Sequence, residues 1–472
     1  MAELGECEVS GGFAIVLDVG KTMAKLSLWS RAGELIERIT RSSSPADGLL
    51  DTAATADWVI DGLARWASHP VEYIVPVSHG AAIAGVRGGS LAFTTPDYEA
   101  QIAPEMLAAY RARRDAFAET GSPALPAGLN LGAQLFALQQ ADPRVLDGVT
   151  LMPYAQYWAW LLTGIAASEV TSLGCHSDLW NPLAGSFSPM ARQLGWAGKF
   201  GPLVGAGDVV GTLKTDLADR LGFASEVKVL AGLHDSNAAL YAARSYPEIT
   251  GGEATVLSTG TWFVAMRAPE LGVDLDLTTL PEARDCLVNV DVFGKPVPSA
   301  RFMGGREIES LIEIDTRRVD ILPDQPHLLA AVAGVLDSGA MVLPTLAPGT
   351  GPFPDAACRW VNRPVDWYAR RAAACLYAAL VADVSLDLIG SRENLLVEGR
   401  FAEAQVFVRA LAALRPQTRV FTANAHTDVS FGALRLIDPD LRPDGDLVEV
   451  VPLADHLNAY KAAWHEGLGS RA

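Results

Sequence analysis

Asp235 stands in the run VLAGLHDSNAALYAA, residues 229–243, where an apolar strand reaches Gly232 and a helical stretch begins just after. A carboxylate at such a point can cap the helix, because its oxygen accepts an orphan backbone N–H. It can also act as a base, taking the proton of a hydroxyl brought against it. A second carboxylate, Asp18, closes the apolar strand of FAIVLDVGKTMAKLSLWS, residues 13–30, ahead of a Gly20-Lys21-Thr22 turn. Glycine lets the backbone N–H groups of a turn approach an anion closely. A hard oxygen such as that of Asp18 suits Mg2+, directly or through water. The run ATVLSTGTWFVAM, residues 254–266, repeats the pattern, with VLSTGTW aligned on VLDVGKT and Gly260 over Gly20. Hydroxyls of Thr22, Ser258, Thr259 and Thr261 add donors around the two turns.

Positioning these groups calls for a strand, a glycine turn and a second strand. Residues 13–17 form a continuous apolar run, as a buried strand does. Residues 24–29 return as a second strand and ELIERIT reads as a third. The GKT is not a P-loop, which needs a glycine five residues before the Gly-Lys pair and a helix after it. Here position 15 is Ile and a strand follows. The repeat of the hairpin half a chain later predicts two similar halves. Near the C-terminus, RRAAACLYAALVADVSLDLIG, residues 370–390, has apolar residues at helical spacing, with Gly390 as its stop. NLLVEGR then reads as a strand ending in a glycine turn, and FAEAQVFVRALAALRP as the next helix. A strand-glycine-helix edge can carry a nucleotide, although most α/β connections have the same outline.

A chain of 472 residues, half of them hydrophobic and 19% charged, has material for two or three domains. The net charge of −18 and the lack of any Lys/Arg cluster argue against nucleic acid and anionic membranes as partners. Cys7, Cys175, Cys286, Cys358 and Cys375 are scattered and odd in number, so they read as free thiols in a reducing cytoplasm. The opening MAELGECEVSGG has no apolar core of a signal peptide, and no run of about 18 apolar residues spans a membrane. His176 and Asp178 in GCHSDLW are too few for a zinc site and read as packing, and Trp262 reads as core.

Taken in order, these pieces resemble the FGGY family of carbohydrate kinases, within the actin-like ATPase superfamily, over residues 13–437. DVGKT is similar to the family's first phosphate motif, STGTW to its second, LLVEGRFAEA to its adenosine motif and GLHDSNAA to the segment with its catalytic aspartate. YWAWLLTGIAASEVTSLGCHSDLW, residues 157–180, is similar to the helix-loop segment ahead of the cleft. The chain departs from the family at Lys21, where a hydroxyl residue is usual, and at Lys25, where Arg is common. It has PDYE, residues 96–99, in place of a Trp-x-Asp sugar motif, and Gly399-Arg400 in place of a glycine pair. The loop LPTLAPGTGPFP, residues 343–354, lacks the usual Gly-Glu-Arg.

The resemblance implies two ribonuclease-H-like α/β domains facing a central cleft, each a mixed sheet with helices on both faces. Residues 1–245 would carry the sugar site, the first phosphate hairpin and the catalytic Asp. Residues 246–472 would carry the second hairpin and the adenosine site, with the break near 244–252 at SYPEITGGE. It implies ATP-dependent phosphorylation of a small sugar, a ketose such as L-rhamnulose, L-fuculose or xylulose, with Asp235 as general base. Asp18, Gly20, Lys21, Thr22, Ser258, Thr259, Gly260 and Thr261 would hold the phosphates, Gly399 and Arg400 the adenosine, and Asp18 the Mg2+. His79 in PVSHGAA, Asp97, Glu99 and His234 would contact the sugar beside Asp235. The helix dipole at Asp235 would favour its ionised form. Expected partners are sugar and ATP, with a homodimer left open. A non-catalytic sugar or nucleotide sensor and a protein-directed actin-like ATPase are the alternatives. The sensor reading rests on the altered motifs. The ATPase reading would leave the HD base and the polar SHG and PDYE loops without use.

Overall fold

Strand Phe13–Val19 is buried on both faces, which is why it reads as an unbroken apolar run. Ile15 and Leu17 point into one core with Leu26, Leu28, Val59, Leu63 and Trp158. Ala14 and Val16 point into the opposite core with Val75, Val77, Leu230, Leu233 and Ala238. The computed structural model describes residues 12–43, 45–224, 226–270, 272–273, 275–316, 318–423, 429–454 and 457–469. Cys7 lies outside them.

The chain divides into two compact units. The first comprises Met1–Ser245 with Asn289–Lys295 and Thr427–Pro443, and the second comprises the remainder. The first boundary falls between Ser245 and Tyr246. The two later segments that join the first unit were not foreseen in a reading of two contiguous halves. Helix Val429–Arg435 is the reason for one of them: its Ala433 and Leu434 complete the core on the second face of the first sheet.

The first sheet runs Val209–Thr212, Lys228–Leu230, Val71–Ser78, Phe13–Val19, Met23–Ser30, Leu35–Ser42, with Leu233–His234 also paired to Val71–Ser78. Its first three strands in sequence form an antiparallel meander, and Val71–Ser78 lies parallel to Phe13–Val19. Helices Thr52–Ala64 and Tyr154–Thr163 cover one face. Residues between 83 and 204 add smaller sheets and a separate core around Tyr110, Leu135 and Trp196.

The second sheet follows the same plan. Ala254–Thr259, Phe263–Ala268 and Pro296–Phe302 form the meander, and Asn394–Gly399 lies parallel to Ala254–Thr259. Arg419–Ala423 follows in parallel, as Lys228–Leu230 does beside Val71–Ser78. The expected terminal helix spans Trp367–Leu388, and Gly390 adopts φ 74 just beyond it. Among the described residues, no helix is long and apolar enough to cross a membrane.

Candidate functional site

In the first unit, strand Leu233–His234 stops at helix Asp235–Ala243. His234 is the N-cap residue, so Asp235 stands one residue inside the helix. Its Oδ1 accepts from the Ser236 amide at 2.6 Å and from the Ser236 hydroxyl at 3.2 Å. His234 Nε2 lies 3.1 Å from the same oxygen. The Asn237 amide nitrogen is 3.3 Å from His234 Nδ1. An amide N–H can only donate there, which leaves the imidazole proton on Nε2, whose hydrogen-bond partner is Cys175 Sγ at 3.7 Å. Burial pulls the His234 pKa down to about 4, so the ring is neutral near pH 7. The Ser236 amide and hydroxyl and His234 Nε2 all lie against Oδ1.

The helix dipole does not set the ionisation of Asp235 as expected. Burial pushes its carboxyl above the ordinary range, and the hydrogen bonds from Ser236 only partly offset this. A carboxylate so raised is a stronger base. The His234 amide donates to Thr171 Oγ1 at 3.0 Å, and that hydroxyl donates to buried Glu169 at 2.6 Å. Gln156 donates to the carbonyls of Ala231 and Gly232 at 3.1 Å. The approach to Asp235 is therefore fixed from three sides.

His79 follows strand Val71–Ser78 directly and is buried. Its Nδ1 donates to the Gly80 carbonyl at 2.8 Å, so Nε2 is the acceptor in the neutral ring that burial favours. The His79 ring packs against Tyr98 and Tyr154, with centroids 5.6 and 5.5 Å apart. Asp97 is buried and accepts the Glu99 amide at 3.0 Å, while the Glu99 side chain is 70% exposed.

In the first turn, the Gly20 amide donates to the Met23 carbonyl at 3.1 Å, and Thr22 is exposed. Asp18 is buried and faces Lys25 across the hairpin, with Nζ 3.1 Å from Oδ2. Lys21 does not join Thr22 as a phosphate donor in this structure. Its ammonium donates to Asp97, lies 3.6 Å from Glu99 and rests 4.5 Å from the Tyr98 ring centroid. Two carboxylates and an aromatic face attract it away from the turn.

In the second unit, the turn between Ala254–Thr259 and Phe263–Ala268 carries Gly260, whose amide donates to Trp262 at 2.9 Å. Ser258 and Thr261 are partly accessible, but Thr259 is buried. The Thr259 hydroxyl donates to the Glu398 carbonyl at 2.6 Å and accepts from the Phe401 amide at 3.0 Å. It fastens the Gly260 turn to the Gly399 turn, so the hydroxyl expected as a phosphate donor is already engaged. Gly399 has φ 84, and a Cβ there would lie 2.4 Å from the Thr259 carbonyl oxygen, so glycine is required. Arg400 pairs with Glu309 at 3.3 Å and lies over Phe401. Trp262 is not core: it is half-buried, with the Arg301 guanidinium 5.1 Å from its ring centroid. Arg301 in turn donates to Asp285 at 2.8 Å, and Asp285 accepts the Gly351 amide at 3.1 Å. That network anchors the loop 343–354.

His176 and Asp178 are absorbed by structure. His176 Nδ1 donates to Leu129, and Asp178 accepts Tyr110 at 2.5 Å beside Arg114. Thr171, Glu169, Tyr98 and Arg301 were missed in the sequence. The cross-strand pairing of Asp18 with Lys25 was readable, since two strands closing on a tight turn place those positions opposite each other.

Two sheets built on one plan, each with a glycine hairpin at its centre, define a duplicated α/β fold of the actin-like ATPase type. The solved xylulose kinase from Rhodospirillum rubrum shares that fold, with a TM-score of 0.78 at 17% identity over 96% of this chain and 97% of its own. A carbohydrate kinase from Novosphingobium aromaticivorans is 61% identical, with a TM-score of 0.93 over 98% of this chain and 99% of its own. Residues 251–444 match the C-terminal domain of the FGGY carbohydrate kinases. An L-fuculokinase of Salmonella typhi is 34% identical over 142 residues, a match spanning 28% of this chain and 28% of that enzyme. The chain belongs to the FGGY family of carbohydrate kinases.

Proposed function

We propose that this chain transfers the γ-phosphoryl group of ATP to a hydroxyl of a small ketose, with Asp235 taking the hydroxyl proton. The observation that carries the reading is the setting of Asp235: it begins a helix directly after a strand, Ser236 holds its Oδ1, and His234 Nε2 lies 3.1 Å from that oxygen. The chemistry is mostly positioning and charge neutralisation, so a single well-placed carboxylate is the protein's main contribution at the acceptor oxygen. His79 Nε2, Asp97 and Glu99 accept from other sugar hydroxyls. In the second unit, the amides and hydroxyls at Ser258, Gly260 and Thr261 serve the phosphates, and Gly399 with Arg400 serves the adenosine. In the first unit, the turn at Gly20 and Thr22 serves the phosphates.

Mg2+ enters as part of the nucleotide. Among the described residues there is no cluster of three metal-ligating side chains, and Asp18 already faces Lys25. That arrangement fits a cation carried by phosphate oxygens, with Asp18 reached through water.

The test is coupled ATP consumption with Mg2+ against L-fuculose, the first choice given the fuculokinase match, then L-rhamnulose, D- and L-xylulose, L-ribulose, erythrulose and glycerol. Turnover with one acceptor, lost in Asp235→Asn while nucleotide still binds, supports the reading. Near-normal turnover in Asp235→Asn removes Asp235 from its role, and silence across the panel with ATP bound favours a sensor.

A further inference from the structure

We propose that Lys21 acts on the acceptor side of the reaction, as the residue that holds the 96–99 loop in place. This rests on the reading of Asp235, His79, Asp97 and Glu99 as the acceptor site.

Three observations converge. The Lys21 side chain is only 14% exposed and its ammonium is bound between Asp97 and Glu99. The same ammonium caps the face of Tyr98, whose edge packs on His79. Asp97 Oδ1 accepts both Lys21 and the Glu99 amide, so one carboxylate oxygen joins the turn at Gly20 to the loop. Loss of the ammonium would leave a buried carboxylate uncompensated and the loop without its tie.

The experiment compares Lys21→Met, Lys21→Arg, Asp97→Asn and the Lys21→Met/Asp97→Asn pair with the unaltered protein. Steady-state kinetics use L-fuculose, or whichever panel ketose turns over, and amide hydrogen exchange is followed over residues 96–100. Lys21→Met should raise the acceptor KM by about tenfold or more while the ATP KM stays within about twofold. It should speed exchange at the Glu99 amide, and the pair should be less than additive. Lys21→Arg should restore both readouts. A raised ATP KM with an unchanged acceptor KM would return Lys21 to the phosphates and overturn the proposal. Unchanged exchange in Lys21→Met would overturn it too, whether or not any sugar is turned over. Silence of the unaltered protein on every neutral sugar would instead count against the kinase reading, with the exchange result still deciding the Lys21 tie.

Discussion

Replacing Thr259 by Val keeps the shape of the side chain and removes one hydroxyl. That hydroxyl donates to the Glu398 carbonyl at 2.6 Å and accepts from the Phe401 amide at 3.0 Å, at a residue only 2% exposed. The substitution strands two buried backbone groups, each costing about 1–3 kcal/mol when left without a partner. The sum is about 2–6 kcal/mol before any relaxation. In a domain of this size each kcal/mol moves Tm by about 2–4 °C, so the ligand-free protein should melt at least about 4 °C lower. Thr259→Ser keeps the hydroxyl and loses one methyl, a cost of about 1 kcal/mol. Differential scanning of the three proteins without ligand reads the difference directly. The Gly260 and Gly399 turns meet at this hydroxyl, so the ATP dissociation constant of Thr259→Val should rise as well. A Thr259→Val protein melting within about 1 °C of the unaltered one would show that the junction is held by the strands alone. Lower stability with unchanged ATP affinity would separate the fastening from nucleotide binding.

Three further outcomes are expected. Because burial pushes the Asp235 carboxyl up, the acid limb of kcat/KM should lie above the ordinary aspartate value of about 3.9, and a pH–rate profile with no such limb between pH 4 and 8 would count against Asp235 as base. Thr171→Val should lower kcat several-fold by releasing the His234 amide, and Thr171→Ser should recover it; equal rates in the two variants would remove Thr171 from the positioning of Asp235. Burial pushes Glu398 up to about 7, whereas the unfolded chain releases that proton near 4.3. Between those values the unfolded state binds fewer protons, so stability falls as pH rises through the window and Glu398→Gln should flatten the fall. Denaturation midpoints at pH 4.5 and 7.5 check this, and identical slopes in both proteins would refute it.

Apolar runs and glycine turns made the sheets legible in advance. Phe13–Val19 is a central strand buried on both sides, so residues 13–17 read as an unbroken apolar run, and Ala254–Thr259 was legible by its likeness to it. The helix at Trp367–Leu388 was legible from its spacing and its Gly390 stop. Side-chain assignments at the site were harder, because they depend on contacts between residues far apart in sequence. Lys21 reads as part of a phosphate turn until Asp97 is seen beside it, 76 residues on. Thr259 reads as a donor at a turn until Phe401 takes it. The sign of the Asp235 shift depends on burial, which a helix N-terminus in a sequence does not reveal. The recruitment of Thr427–Pro443 into the first unit was equally hidden, since nothing local in that stretch names the sheet it covers.

That late segment has a consequence for how the protein is made. Helix Val429–Arg435 lies so close to helix Asp235–Ala243 that a Cβ at Gly432 would fall 1.9 Å from the Ala238 carbonyl oxygen. When a ribosome has delivered residue 245, the sheet is present but its Ala14, Val16, Val75 and Val77 face still waits for Ala433 and Leu434. The nascent chain must carry that greasy face through the synthesis of nearly two hundred more residues, at about 5–20 residues per second. A chaperone that shields apolar surface during those seconds would find its client there, and a polypeptide truncated after residue 245 should aggregate rather than stand as an independent half.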